Sequence, residues 1–357
     1  MLILFLFFLA LNNNRGLTNQ NGNEGLARLN EYAPIALFEN VIVYNYFEGT
    51  SLVFGRYCIN EDDKIVVGII DNFHISFSLP VLIDDNLFMP ITLNNGEHSL
   101  IRMNLTENSI ESIHIGYYTR ALASITTTLG NIYYLGWDTK DGLHSSYIKK
   151  FDEIENKMDT FLIKNFDERM NTGEIIEAFS SYRGKIYAVV RSREGENEEI
   201  TIHVYDAKDG VFLYEIYLSY EFKSYISSSS IAQFYIFGDN IYVRNFSDYG
   251  VIGRIENKSV ELIYTKNLLR IAINSADTDD DFIIFFMRED AGVYMLNTLN
   301  GEILSGDLPL GDYLSIRSAI SDGANLLVAI LDDNNMYSFV TVDTKLFEYS
   351  YLLDLVS

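Results

Sequence analysis

The 357-residue sequence has one cysteine, four prolines and one tryptophan, and its 26 lysines and arginines face 50 aspartates and glutamates. Each scarcity excludes something. Cys58 has no partner for an internal disulfide, and no Cys/His group has the spacing of a zinc site, so neither kind of cross-link stabilises the fold. Four prolines and 23 glycines exclude collagen-like and linker-like character. The formal charge of −24 repels phosphate backbones and anionic headgroups, which removes nucleic acid from the expected partners. Apolar runs fall short of the roughly 20 residues that a membrane-spanning helix needs, so no integral span is expected in the mature chain. What is abundant is apolar and aromatic surface: 48% of residues are hydrophobic, with 25 tyrosines and 23 phenylalanines. That composition supplies an ample core and favours strands.

Leu2–Leu11 (LILFLFFLAL) has the length of the apolar region of a secretory signal. No Lys or Arg precedes it and no small-x-small cleavage site follows. A start placed too far downstream would account for the missing basic region; a hydrophobic first strand or a chance tail is the alternative. A secreted or envelope-associated protein is the expectation. Residues 12–25 (NNNRGLTNQNGNEG) are polar, Asn-rich and aperiodic, as in a flexible leader. The chain therefore divides into a signal-like segment with its leader, 1–25, and one folded domain, 26–357. The three N-x-S/T triplets, at Asn104, Asn245 and Asn257, carry little weight in an Asn-rich chain.

An internal repeat sets the architecture. Short β-rich cores introduced by Gly, Asp or Asn recur seven times, with Ile42, Leu87, Ile132, Ile186, Ile241, Phe282 and Leu326 as equivalent anchors. Each anchor strand is followed by a polar loop and two further strands joined by a tight turn, as in EITIHVYDAKDGVFLYEIYL (Glu199 to Leu218). Each is preceded by an alternating segment with small residues, such as TRALASITTTL (Thr119 to Leu129). Gly210 and Gly301 supply the positive-φ position that such turns need. Four antiparallel strands per unit, repeated every 40 to 55 residues or so, are the signature of a β-propeller. The alternation has period two, which excludes a helical solenoid. A pair of β-sandwich domains would not place seven anchors in register. The fold class is all-β, a propeller of seven four-stranded blades; six blades is the alternative if a terminal unit is discounted.

The stretch VYDAKDGVFLYEI (Val204 to Ile216), in which an aspartate opens the turn and a glycine closes it, resembles the repeats of quinoprotein-like and other generic bacterial propellers. Other units lack the glycine or replace the aspartate, and the paired Gly-His and Trp-Asp dipeptides, the kelch Gly-Gly and the sialidase Asp box are absent. With Trp137 as the sole tryptophan, no tryptophan docking motif is available. The resemblance implies architecture and no cofactor.

In a propeller the 4→1 and 2→3 connections share one face, around the channel mouth where ligands commonly bind. His98 and His144 (GEHSLI, GLHSSY) fall at equivalent points of units two and three, just before the third strand, where paired imidazoles could ligate a metal or exchange protons; two exposed loop residues made similar by chance are the plain alternative. Arg120, Arg270 and Arg317 recur near first strands and could hold a carboxylate, sulfate or uronate; pairing with neighbouring carboxylates is the plain alternative. Tyr117 and Tyr118, with Tyr220 and Tyr225, lie beside the same face and could stack on a sugar or peptide. The runs Asp277 with Asp279 to Asp281, and Asp206 with Asp209, offer oxygens of the kind calcium takes, but the first lacks the glycine and distal glutamate of a calcium loop and the second sits in an ordinary hairpin turn. They read as solvated turns, and no metal or cofactor is expected. His74, His114 and His203 read as ordinary strand residues, and no G-x-S-x-G elbow occurs.

Two functional readings stand at this point. One is a non-enzymatic, monomeric binding or scaffold propeller that presents its loop face to a protein or glycan. The other is a lyase or hydrolase of acidic polysaccharide, with Arg120, Arg270 and Arg317 holding uronates and His98 or His144 acting as base.

Overall fold

The computed structural model describes residues 33–38, 41–58, 63–75, 80–117, 125–152, 157–227, 231–245, 249–267, 269–271, 282–287, 292–297, 303–307, 313–321, 325–332, 337–343 and 349–355. They form seven consecutive antiparallel units of four strands, the seven blades of a propeller. Blade 1 runs from Ala33–Phe38 to Asp63–Ile70, and blade 7 from Tyr313–Ser321 to Tyr349–Leu355. The first strand of blade 1 packs beside the first strand of blade 7, so the two ends of the series meet. One helix, Tyr220–Ser227, occurs among the described residues, between blades 4 and 5.

All seven sequence anchors open the second strand of their blade. The five whose side chains are described, Ile42, Leu87, Ile132, Ile186 and Ile241, are at most 2% exposed. Second strands are apolar on both faces because each face meets a neighbouring blade. Val43 and Phe54 of blade 1 share an apolar layer with Met89 and Ile101 of blade 2. Phe88 and Leu100 of blade 2 meet Ile132 and Tyr134 of blade 3. Tyr133 and Ile148 of blade 3 meet Ile186 and Ala188 of blade 4, and Val189 and Ile202 of blade 4 meet Ile241 and Val251 of blade 5.

Blades 3, 4 and 5 are also joined by main-chain hydrogen bonding into one 12-stranded sheet. The last strand of blade 3 pairs with the first of blade 4 at Phe166↔Gly173 and Asp167↔Thr172. The last strands of blades 4 and 5 pair in parallel at Tyr217↔Ser259 and Leu218↔Val260. Among the described residues, the other blades meet through side chains alone.

Two irregularities have local causes. Pro90 lies in the second strand of blade 2 (Asn86–Leu93) and has no N–H to donate to a ladder. The first strand of that blade is in two pieces, Phe73–Ile75 and Val81–Ile83, which pair on either side of it. Besides bulges at Ile35 of blade 1 and Leu314 of blade 7, first strands in blades 4, 5 and 7 carry a β-bulge whose extra residue is Glu177, Ala232 and Arg317 respectively. These three stand at the same distance ahead of the anchors Ile186, Ile241 and Leu326.

Removing an anchor leaves a void between two blades at once. Ile186→Ala should lower the urea-unfolding free energy by about 2–5 kcal/mol, whereas Ile163→Ala on the half-exposed outer strand should change it by less than about 1 kcal/mol.

Candidate functional site

Strand length is uneven around the ring. The second, third and fourth strands of blade 3 (Asn131–Lys140, Leu143–Asp152, Lys157–Asp167) and the first three of blade 4 (Thr172–Tyr182, Lys185–Glu194, Asn197–Asp206) have 10 or 11 residues. No other described strand exceeds nine. One or two extra residues at about 3.3 Å each raise these blades into a crest on the face of the 2→3 and 4→1 connections. Its turns are tied to one another. The Glu168 N–H donates to the Gly142 carbonyl at 3.0 Å and the Gly195 N–H to that of Asn171 at 3.1 Å, while the Asn171 side chain donates back to the Gly195 carbonyl. Asp141 and Gly142 both have positive φ, the pairing that a two-residue hairpin requires. Met170 stands 69% exposed at the top.

Two charged networks lie beneath the crest. On the face of blade 4 toward blade 5, Arg191 is 14% exposed and donates through Nε to Glu177 Oε1 at 2.7 Å and through Nη1 to Glu198 Oε1 at 2.5 Å. The bulge in the first strand is what turns Glu177 toward it. Arg193 closes on the other oxygen of Glu198 at 2.6 Å. Burial raises the Glu198 pKa, but the Arg193 and Arg191 guanidinium groups outweigh it and hold the carboxyl below its ordinary value. Lys223 of the helix reaches the Glu198 carbonyl at 3.4 Å. The helix itself is capped by Ser219, whose Oγ accepts from the Phe222 N–H, and buries Phe222 and Ile226 in the layer between blades 4 and 5.

The opposite face carries a chain of hydrogen bonds that links blade 3 to all four strands of blade 4. Lys164 of blade 3 meets Glu174 at 2.5 Å and hydrogen-bonds the Tyr205 hydroxyl. Glu174 also accepts from Ser192 Oγ at 3.4 Å. Tyr205 meets His203 Nδ1 at 3.2 Å, and His203 Nε2 meets Glu215 Oε1 at 3.2 Å. A carboxylate only accepts, so Nε2 carries the proton and Nδ1 accepts from Tyr205, whose oxygen in turn accepts from Lys164. His203 is 5% exposed. Burial, with the Lys164 charge adding to it, moves its pKa below the ordinary value against the pull of Glu174 and Glu215. Across the same interface the Tyr133 hydroxyl donates to the Ala207 carbonyl at 2.7 Å, and burial with the nearby Asp206 charge pushes it up to about 12. Trp137 Nε1 donates to the Ile176 carbonyl at 2.9 Å.

The residues singled out from sequence are distributed as follows. His98 and His144 do occupy equivalent positions, opposite Thr92 and Thr139 in register. Both lie within their third strands and not in the preceding loops, because the ladders run to the turn. Thr92 Oγ1 lies 3.3 Å from Nδ1 of His98, which is 1% exposed. His144 meets Thr139 through Nδ1 at 2.9 Å and Glu168 through Nε2 at 3.4 Å, and stacks on Phe166. Both of its nitrogens are therefore engaged in holding the crest. His114, outside blade 2's core, pairs with Glu97 at 2.8 Å.

Tyr117 ends the last strand of blade 2, Arg270 lies in the first strand of blade 6, and Arg317 is the bulge residue of blade 7. The side chains of these three, and Arg120, Tyr118 and Asp277 to Asp281 altogether, lie outside the described residues. Asp206 and Asp209 accept the N–H groups of Lys208 and Val211 in their hairpin turn. Among the described residues no group of three or more metal-ligating side chains is present, and no helix is long and apolar enough to cross a membrane.

Compared by sequence, the chain matches no protein-family model and no curated protein. Its fold is matched by solved structures. The β-propeller domain of the Trilobed protease from Pyrococcus furiosus superposes with a TM-score of 0.58 at 13% identity, over 92% of this chain and 97% of that one. A putative 6-phosphogluconolactonase from Bacteroides fragilis gives 0.56 at 13% identity, over 93% and 97%. The acylaminoacyl peptidase of Pyrococcus horikoshii gives 0.58 at 12% identity, over 91% of this chain and 52% of that one. At these identities the likeness shows the propeller fold alone.

Arg191→Met should cost about 3 kcal/mol, because it leaves Glu177 and Glu198 facing each other without their shared cation; urea unfolding reads the change. For the other network the sign is set by His203, whose pKa is lower folded than unfolded. The unfolded chain binds more protons, so stability is fully present above the ordinary histidine pKa of about 6.5 and falls as pH drops below it. Melting temperature followed by Trp137 fluorescence should decline from pH 7 to pH 5.5, and His203→Gln should flatten that decline.

Proposed function

We propose that the chain is a non-enzymatic binding propeller that presents the face of its 2→3 and 4→1 connections, and the crest of blades 3 and 4 in particular, to a protein or glycan. The observation that carries this reading is the crest itself: six lengthened strands whose turns are fixed to one another by main-chain bonds. A surface ordered before contact loses little conformational entropy on binding. Exposed Arg169 and Met170 sit at its summit, with the Arg169 side chain lying over Gly142. The charged groups beneath it are neutralised within the chain, Arg191 by Glu177 and Glu198 and Lys164 by Glu174, while His144 is held by Thr139 and Glu168. Such pairing suits a framework that fixes a surface more than a reacting centre whose charges must change.

The rival reading draws on Arg317, which stands at a first-strand bulge, a place where side chains are re-aimed in many sites. Screening the full chain against glycan and peptide arrays should give a ligand whose affinity drops at least tenfold in the double variant Arg169→Ser/Met170→Ser, with melting temperature unchanged. Turnover of a polyuronate by the full chain, abolished by Arg317→Ala, would overturn the binding reading in favour of the enzyme.

A further inference from the structure

Twelve large apolar side chains are exposed among the described residues, and five of them, Val211, Phe212, Leu213, Tyr217 and Tyr220, fall within ten consecutive positions. They occupy the outer strand of blade 4, Phe212–Leu218, with the residue before it and the first residue of the helix. Strand alternation alone would place Phe212 on the face opposite Glu215 and Tyr217. A bulge between Phe212 and Tyr214 adds one residue and reverses that. Phe212, Glu215 and Tyr217 then lie opposite Tyr205, His203 and Thr201, on one face.

This face is built to be rigid. The Phe212 ring stands edge-on to His203 and Tyr205, with centroids 5.7 Å from each. Glu215 is fixed through both oxygens, one to His203 Nε2 and the other to the Tyr217 hydroxyl at 3.1 Å. About 36% of its side chain stays in solvent, so a carboxylate is held between two half-exposed aromatic rings. Within residues 208–221 the charge is negative, Asp209, Glu215 and Glu221 against Lys208; Lys185 and Lys258 stand over the Tyr214 ring on the opposite face of the strand, and Lys164 is held by Glu174 and Tyr205. Hydrogen bonding to Glu215, and the Glu215 and Glu199 charges, push the Tyr217 hydroxyl above its ordinary value.

We propose that Val211–Tyr220 forms a second contact surface, separate from the crest, which takes an apolar segment of a partner protein flanked by lysine or arginine. Clustered exposed aromatics of this kind supply the apolar anchor of an interface. A cationic side chain seated at Glu215, between the half-exposed Phe212 and Tyr217, would join cation–π attraction to an ion pair. The same set repels an acidic segment, and a second copy of a chain with a charge of −24 lacks the complementary sign.

A fluorescein-labelled decapeptide of alternating leucine and arginine tests this against the full-length chain, with the leucine/glutamate peptide as its counterpart. Fluorescence anisotropy should show saturable binding of the Leu/Arg peptide, weakened at least tenfold in Phe212→Ser/Tyr217→Ser and at least threefold in Glu215→Gln. Arg169→Ser/Met170→Ser should leave it unchanged, so failure here and failure of the crest reading are told apart. Tyr220→Ser, at a position 87% exposed, keeps the test decisive if the double variant fails to fold, and should weaken binding about threefold. Equal binding of the Leu/Glu peptide, unaltered affinity in the variants, or displacement by a neutral oligosaccharide would overturn the proposal. So would a dimer in sedimentation that Tyr220→Ser abolishes, since the strip would then be covered by a second copy.

Discussion

Burial of both faces of the second strand is the constraint from which the ring follows. A sheet with Ile, Leu, Val and aromatic residues on both sides cannot stand in water alone, and the layers that share Ile132, Ile186 or Ile241 with the next blade are the means of covering it. Each layer requires the blade beyond it, so the series continues until its first and last members meet. First strands are drawn close together and take small or bulged residues, while last strands are released from close packing. The exposed side chains of Val211, Phe212, Leu213 and Tyr217 and the lengthened strands of blades 3 and 4 occur where that release allows them.

How far this was legible in the sequence follows from the same constraint. The anchors announced themselves because a strand buried on two faces needs a short continuous apolar run, and turn residues mark its start. The equivalence of His98 and His144 was visible for the same reason, through the repeat. Their placement in strands was not, since a ladder that reaches the turn leaves no compositional edge to read. The Arg191 network escaped because it joins first, second and third strands at a register set by the bulge at Glu177. One inserted residue reverses the alternation only within its own strand, a run too short to mark the bulge in the sequence. The chain through Lys164, Tyr205, His203 and Glu215 left only a hint, the alternate spacing of His203 and Tyr205, while its other members come from another blade and from a neighbouring strand.

The shortage of positive charge gives each buried cation an outsized part. Arg191 serves two carboxylates on two strands and Lys164 bridges two blades, so cations are spent inside and beside the sheets. Carboxylates in turns such as Glu194–Glu196 are left in solvent. An acidic exterior and a stitched interior are thus two results of one distribution, and the exterior sign in turn sets what chemistry can approach the outer strand of blade 4.

The main-chain continuity of blades 3 to 5 has a mechanical meaning. Force applied to the crest is transmitted along hydrogen-bonded strands through Phe166↔Gly173 and Tyr217↔Ser259, whereas among the described residues the other blades share no hydrogen-bonded strand with a neighbour. The ring is therefore stiff over one arc and jointed over the rest. A partner of the kind proposed for the crest would pull on the stiff arc, an arrangement suited to attachment under tension, with strain taken up in the blades farthest from the point of grip.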